Sequence, residues 1–177
     1  MRGARIKLRR LHAAMLRSTV MPVADFRRLT LDELLPNPWS TERSLFAIAH
    51  RVRVDETSLL VPHANNVVIL SWIDLVAEQH GDAAGASRSE LFAAGKMWFV
   101  ARHEIDYLGE SFAGDEVIIA TWIETLGRTS LRRATRIASA RDGHELVRAT
   151  SRWALVDLTT RRPTAIPDAV RAALAGE

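Results

Sequence analysis

The stretch His63-Ala64-Asn65-Asn66-Val67-Val68-Ile69-Leu70-Ser71-Trp72-Ile73-Asp74 decides how this chain is read. Three hydrogen-bonding side chains stand directly before a run that is apolar almost all round. Asn is a favoured helix N-cap, so residues 63–66 predict the start of a buried helix running to about His80. The first-turn N–H groups of a helix lack internal partners and carry the positive end of its dipole. A carbonyl oxygen placed there is polarised, as acyl transfer requires. A polar cap on a core helix would use the same residues, and these alone do not separate the two.

Outward from this helix the pattern is that of strands. Residues 46–54 alternate Phe, Ile, His, Val and Val against Ala, Ala, Arg and Arg, which predicts a half-buried strand. Residues 81–89, rich in Ala, Gly and Ser, read as a mobile loop. Four strand-like segments follow at 97–108, 116–126, 130–140 and 145–158, with turn signals at Gly114-Asp115, Gly127-Arg128 and Asp142-Gly143. In the first, Met97, Phe99, Ala101, His103, Ile105 and Tyr107 would share one face, making His103 a core histidine. Pro163 and Pro167 end the sheet, and residues 168–175 can form a terminal helix. One helix apolar on nearly every side, wrapped by a curved antiparallel sheet, is an α+β architecture. Residues 67–77 should then be largely buried, and His80 should cap the helix C-terminus as a cation.

With 177 residues, one domain is expected, at 41–177. Residues 1–40 read as a basic arm followed by a short helix over 26–35, partly disordered, with Pro36-Asn37-Pro38 as the break. Arg2, Arg5, Lys7, Arg9, Arg10 and Arg17 precede the first acid, Asp25; without those six the formal charge of +3 becomes −3. The basicity therefore belongs to the arm and is poor evidence for nucleic-acid binding. Met15 and Met21 are alternative starts. With no Cys there is no disulfide, thiolate nucleophile or thiolate ligand. No apolar run nears the roughly 18 residues of a membrane span, so a cytoplasmic protein with no membrane partner is expected.

The His-x-Asn-Asn-Val at 63–67, with Trp72-Ile73 behind it, resembles the His-Val-Asn-Asn segment of hotdog-fold thioesterases. It is similar to plant acyl-carrier-protein thioesterases and to bacterial acyl-CoA thioesterases of the 4-hydroxybenzoyl-CoA thioesterase superfamily, over roughly residues 46–167. The resemblance implies a hotdog fold, a homodimer or dimer of dimers with sites at the interface, and thioester hydrolysis of acyl-CoA or acyl-carrier-protein substrates without cofactor or metal. It also implies an oxyanion stabiliser in the N–H groups around Asn65, Asn66 and Val67. The water-handling acid of the family has no direct counterpart. Leu59 and Val61 stand where the plant enzymes have Asp and Asn, which leaves Glu56 upstream or Asp74 on the helix. His63 could act as base, carbonyl donor or structural tie; Asn65 and Asn66 can orient water or a carbonyl without titrating. Trp72 could wall an acyl tunnel, and Arg132, with Arg136, Arg148 and Arg152 on one strand face, could bind phosphate. A non-catalytic acyl-thioester-binding protein, or a hotdog dehydratase, is the alternative.

Overall fold

The computed structural model describes residues 26–34, 39 and 41–175. The basic arm and the Pro36-Asn37-Pro38 break lie outside these. The elements are β1 (Phe26–Arg28), α1 (Leu31–Leu34), β2 (Phe46–Arg51), a 3₁₀ turn (Val54–Glu56), α2 (Asn66–Ala83), α3 (Arg88–Ala93), β3 (Lys96–Tyr107), β4 (Glu116–Leu126), β5 (Ser130–Ser139), β6 (Glu145–Asp157) and α4 (Asp168–Ala175). The six strands form one sheet in the order β1-β2-β4-β5-β6-β3, and every pairing is antiparallel.

Helix α2 lies across this sheet. Ile69, Trp72, Ile73 and Val76 pack with Phe46 and Ile48 of β2, Val117 and Ile119 of β4, Ile137 of β5, and Val147 and Ala149 of β6. Four strands converging on one helix is the expected hotdog arrangement. The helix is less buried than its sequence suggests it should be. Its buried side is a single stripe, and Val67 is 75% exposed. Leu70 is also exposed, so the expectation of burial through 67–77 fails on that flank. Apolar residues stand on more than one side of α2, yet the sheet covers only one.

Local readings change where tertiary pairing wins. Residues 26–28 are a strand because the free edge of β2 pairs with them, Phe26 opposite His50, and the Phe26 ring stacks on the His50 imidazole at 4.2 Å. Among the described residues of this segment only 31–34 are helical, and the sheet begins well before residue 41. Strand β2 is buried on both faces: Leu29, Leu34 and Trp39 cover Ala47 and Ala49 together with Ile118, Ala120, Trp122, Ala134 and Ala138. The expected loop at 81–89 shrinks, since α2 runs on to Ala83 and Ser87 caps α3 by accepting from the Glu90 N–H.

A bulge at Ala101 flips the phase of β3: Val100 pairs with Trp153 and Arg102 with Arg152. Trp98 and Val100 therefore share the inner side with His103 and Ile105, while Phe99 is exposed on the other side. His103 is half-buried and bonded to Ser151 Oγ at 2.7 Å. His80 is not a cationic cap. It is buried, its Nδ1 lies 2.8 Å from Arg133 Nη1, and burial, then Arg133 and Arg28, push its pKa down to about 3.

Ile73→Ala should cost about 2–5 kcal/mol and Val67→Ala less than about 0.5 kcal/mol, read from urea unfolding midpoints at unchanged slope. Between the native pKa of His80 and the unfolded value near 6.5, only the unfolded chain takes the proton. Stability is thus complete above about pH 6.5 and drains as pH falls toward 3. Relative to parent, His80→Gln should lose about 2 kcal/mol less between pH 7 and pH 5.

Candidate functional site at the start of helix α2

The N-terminus of α2 is tied into place from three directions. Asn65 is extended (φ −70, ψ 139) and its Oδ1 accepts the Val67 N–H at 2.9 Å. Its own N–H donates to the Glu56 carbonyl at 2.9 Å, and its Nδ2 reaches Ser58 Oγ at 3.3 Å. The Ala64 N–H donates to the Ser111 carbonyl at 2.8 Å. After these bonds, the N–H groups of Asn66 and Val68 have no acceptor among the described residues. They stand at the positive end of an 18-residue helix, where an oxygen bearing developing charge would be stabilised.

Below the cap, Glu56 is 1% exposed. Its carboxylate is held by His50 Nε2 at 2.7 Å, the Trp72 indole N–H at 3.2 Å and the Arg53 backbone N–H at 2.8 Å. The Arg53 guanidinium lies 3.6 Å away. A buried carboxylate is tolerable only when paired and hydrogen-bonded in this way.

His63 is half-buried beside the cap. Its Nδ1 has no hydrogen bond among the described residues and lies 3.5 Å from Glu110 Oε1. A bulge in β6 puts Glu110 there. The register jumps between Ile137/Val147 and Ala138/Glu145, and the extra residue, Leu146, has its carbonyl accept both the Leu108 and Gly109 N–H groups, at 2.8 and 3.1 Å. The loop after β3 is thus pinned at its start. His63 bridges to Phe112 further along it.

The sequence model of the thioesterase-like superfamily matches residues 52–174. The chain belongs to that superfamily. It is 33% identical over 91 residues to a chloroplastic palmitoyl-acyl carrier protein thioesterase of Arabidopsis thaliana, covering 51% of this chain and 22% of that one. It is 31% identical over 130 residues to a chloroplastic dodecanoyl-[acyl-carrier-protein] hydrolase of Umbellularia californica, covering 73% and 31%. The chain spans less than half the length of the curated relatives it matches. A 1,4-dihydroxy-2-naphthoyl-CoA thioesterase from Synechocystis superposes with a TM-score of 0.69 at 16% identity, over 73% of this chain and 95% of that one, and shows the shared hotdog fold.

Against that superfamily pattern, the structure brings His63, Asn65, Asn66 and the exposed Val67 to one place, with Glu56 directly beneath them. It does not bring Asp74 or Arg132 there. Asp74 is bound by Arg88 Nη2 at 2.8 Å two turns along α2. Arg132 is exposed and paired with Glu124 at 2.9 Å. Trp72 is fully buried, with its indole N–H committed to Glu56. Leu59, where the plant enzymes carry an acid, is fully exposed, as is Leu60. Glu110 escaped the sequence reading because it stands 47 positions after His63. Its only signal was an acid in the turn before β4.

Because Glu56 satisfies buried donors, removing it should hurt folding more than removing the surface partner. Glu56→Leu should cost about 2–5 kcal/mol by stranding the His50 and Trp72 donors, while Glu110→Gln should cost under about 1 kcal/mol. Equal and small losses in chemical denaturation would show that the buried network holds nothing.

Proposed function

We propose that this chain hydrolyses an acyl thioester carried by CoA or an acyl carrier protein, without a cofactor, at the N-terminus of α2. The observation that carries this reading is the pair of free N–H groups, Asn66 and Val68, beside an imidazole that itself faces a carboxylate. In this reading the thioester carbonyl oxygen sits on those N–H groups. A water held by Asn65 or Asn66 attacks the carbonyl carbon. His63 takes the water's proton, and Glu110 orients the ring and offsets its charge. As the carbonyl reforms and the C–S bond breaks, His63 returns that proton to the leaving sulfur, which departs as the thiol. Glu56 holds the platform from below, and Asp74 stays with Arg88. The relatives named above act on acyl carrier protein or CoA thioesters, which supports the substrate class.

The working form in this reading is a cytoplasmic homodimer. Strand β3 is a 12-residue edge strand with one side unpaired, and an unpaired edge invites a partner strand. Val67 and Leu70 on α2 and Phe99, Val100 and Tyr107 on β3 would be covered by the second copy. Among the described residues no helix is long and apolar enough to cross a membrane.

Release of free thiol from a panel of acyl-CoA and acyl-carrier-protein thioesters tests the activity. His63→Ala and Asn65→Ala should lower kcat on the order of 10²-fold or more while remaining folded. Glu110→Gln should fall about tenfold, and Asp74→Asn should match the parent. Tight binding of acyl thioesters with no thiol released would instead make the chain a binding protein, with Leu59 and Val61 marking the lost catalytic positions. A loss with Asp74→Asn but none with Glu110→Gln would move the acid to the helix.

A further inference from the structure

The opposite end of α2 carries a second polar centre that the catalytic reading leaves unused. Arg133 on β5 points inward and is 4% exposed. Its Nη1 donates to His80 Nδ1 at 2.8 Å and to Thr121 Oγ1 at 3.2 Å. Both are neutral acceptors, and no carboxylate pairs with this guanidinium among the described residues. A buried cation without a counter-charge is strongly disfavoured. Burial, with Arg88 nearby, pushes Arg133 down to about 9, which keeps it charged at neutral pH.

This guanidinium lines a cavity with Ala77, Arg88, Trp98, Leu131, Trp153 and Leu174. Trp153 is itself buried, and its indole N–H has no hydrogen-bond partner among the described residues. Arg88 lies over the Trp153 ring at 5.6 Å. Glu78 also lines the cavity, but Arg88 holds its carboxylate at 3.2 Å and Asp74's at 2.8 Å, so these charges answer Arg88 and leave Arg133 alone. Apart from Glu78, which Arg88 holds, the polar side chains here are donors, set in tryptophan and aliphatic walls. The room for the centres of water-sized groups is about 30 Å³, enough for about two such groups. That admits a headgroup and excludes a whole acyl chain.

We propose that this cavity binds the carboxylate of a very short acid of two or three carbons, its oxygens taking the free N–H groups of Arg133 and Trp153 and its small apolar end lying against Trp98 and Leu174. The anion supplies the counter-charge the buried guanidinium lacks, and a charge-assisted contact of this kind is about twice as strong as a neutral one. The site lies at the C-terminal end of α2, distinct from the cap at Asn65, and it does not depend on the thioesterase reading.

Acetate is a suitable probe, titrated into the full chain by calorimetry at neutral pH with tryptophan fluorescence in parallel. It should bind saturably, once per chain, and at least tenfold more tightly than ethanol. Arg133→Gln should weaken it at least tenfold and Trp153→Phe severalfold, with circular dichroism checking the fold of each. Arg152→Gln, an exposed arginine on the outer face, and Asn65→Ala should leave it unchanged. Should Arg133→Gln not fold, Trp153→Phe and the alcohol still decide. Equal affinity for acid and alcohol, or loss of binding with Asn65→Ala and not with Arg133→Gln or Trp153→Phe, would overturn the proposal. Absent thiol release, by contrast, would overturn only the catalytic reading.

Discussion

A tryptophan indole cannot be buried cheaply unless its N–H finds an acceptor, and much of this structure follows from how Trp72 solves that problem. Its acceptor is Glu56, a charge that must in turn be surrounded by donors. His50 from β2 and the Arg53 N–H supply them, which locks the 3₁₀ turn to the strand before it and to the helix that comes ten residues later. The same turn presents its Glu56 carbonyl to the Asn65 N–H. The cap is therefore placed by a chain of contacts that begins in the core. A carboxylate so enclosed acts through its position, as an anchor for the surface where charge would develop.

The two ends of α2 are electrostatic opposites, and each is met by a group of the complementary kind. At the N-terminus, free N–H groups and the positive end of the dipole face the surface, where an oxygen can reach them. Near the C-terminus, Arg133 lies where the dipole is negative and a cation is favoured, and His80 is kept neutral so that it can accept from it. Between the ends, Trp72, Ile73 and Val76 leave no polar atom unpaired. Unpartnered polar groups stand at the ends because the middle is closed by packing.

Much of this was legible in the residues. The Asn-capped apolar run reads as a core helix, and the turns at Gly127-Arg128 and Asp142-Gly143 join β4, β5 and β6 as successive neighbours. The turn at Gly114-Asp115 does not join neighbours, because β3 lies at the far edge beside β6. Illegible features were those set by long-range pairing. Whether residues 26–28 are helix or strand depends on an open edge at β2, which no local propensity records. The phase of β3 depends on one extra residue, Ala101, and a one-residue slip sends every later side chain to the other face. Glu110 reaches His63 only because Leu146 bulges and ties down the loop. One missed signal was readable. The outward positions Ala47, Ala49, Ala120, Ala134 and Ala138 are small and apolar where a solvated sheet face would carry charge, and they mark the surface that Leu34 and Trp39 cover.

The closed middle of α2 also constrains where a substrate could run. An acyl chain cannot pass between α2 and the sheet without displacing Ile73 and Val76, both fully buried in a cluster to which four strands contribute. The apolar surface left over is on the other flank of the helix, at Val67 and Leu70, and in the preceding loop at Leu59, Leu60 and Val61. A carbonyl on the Asn66 and Val68 N–H groups would place the chain attached to it beside that flank. In the thioesterase reading the acyl group therefore lies outside its own protomer's core, and an exposed apolar groove of that kind needs a cover to exclude water. The unpaired edge of β3 is where a second copy would bring one. Exposed Val67, which the helical pattern would have buried, then makes physical sense as a wall between a protomer, its partner and the substrate.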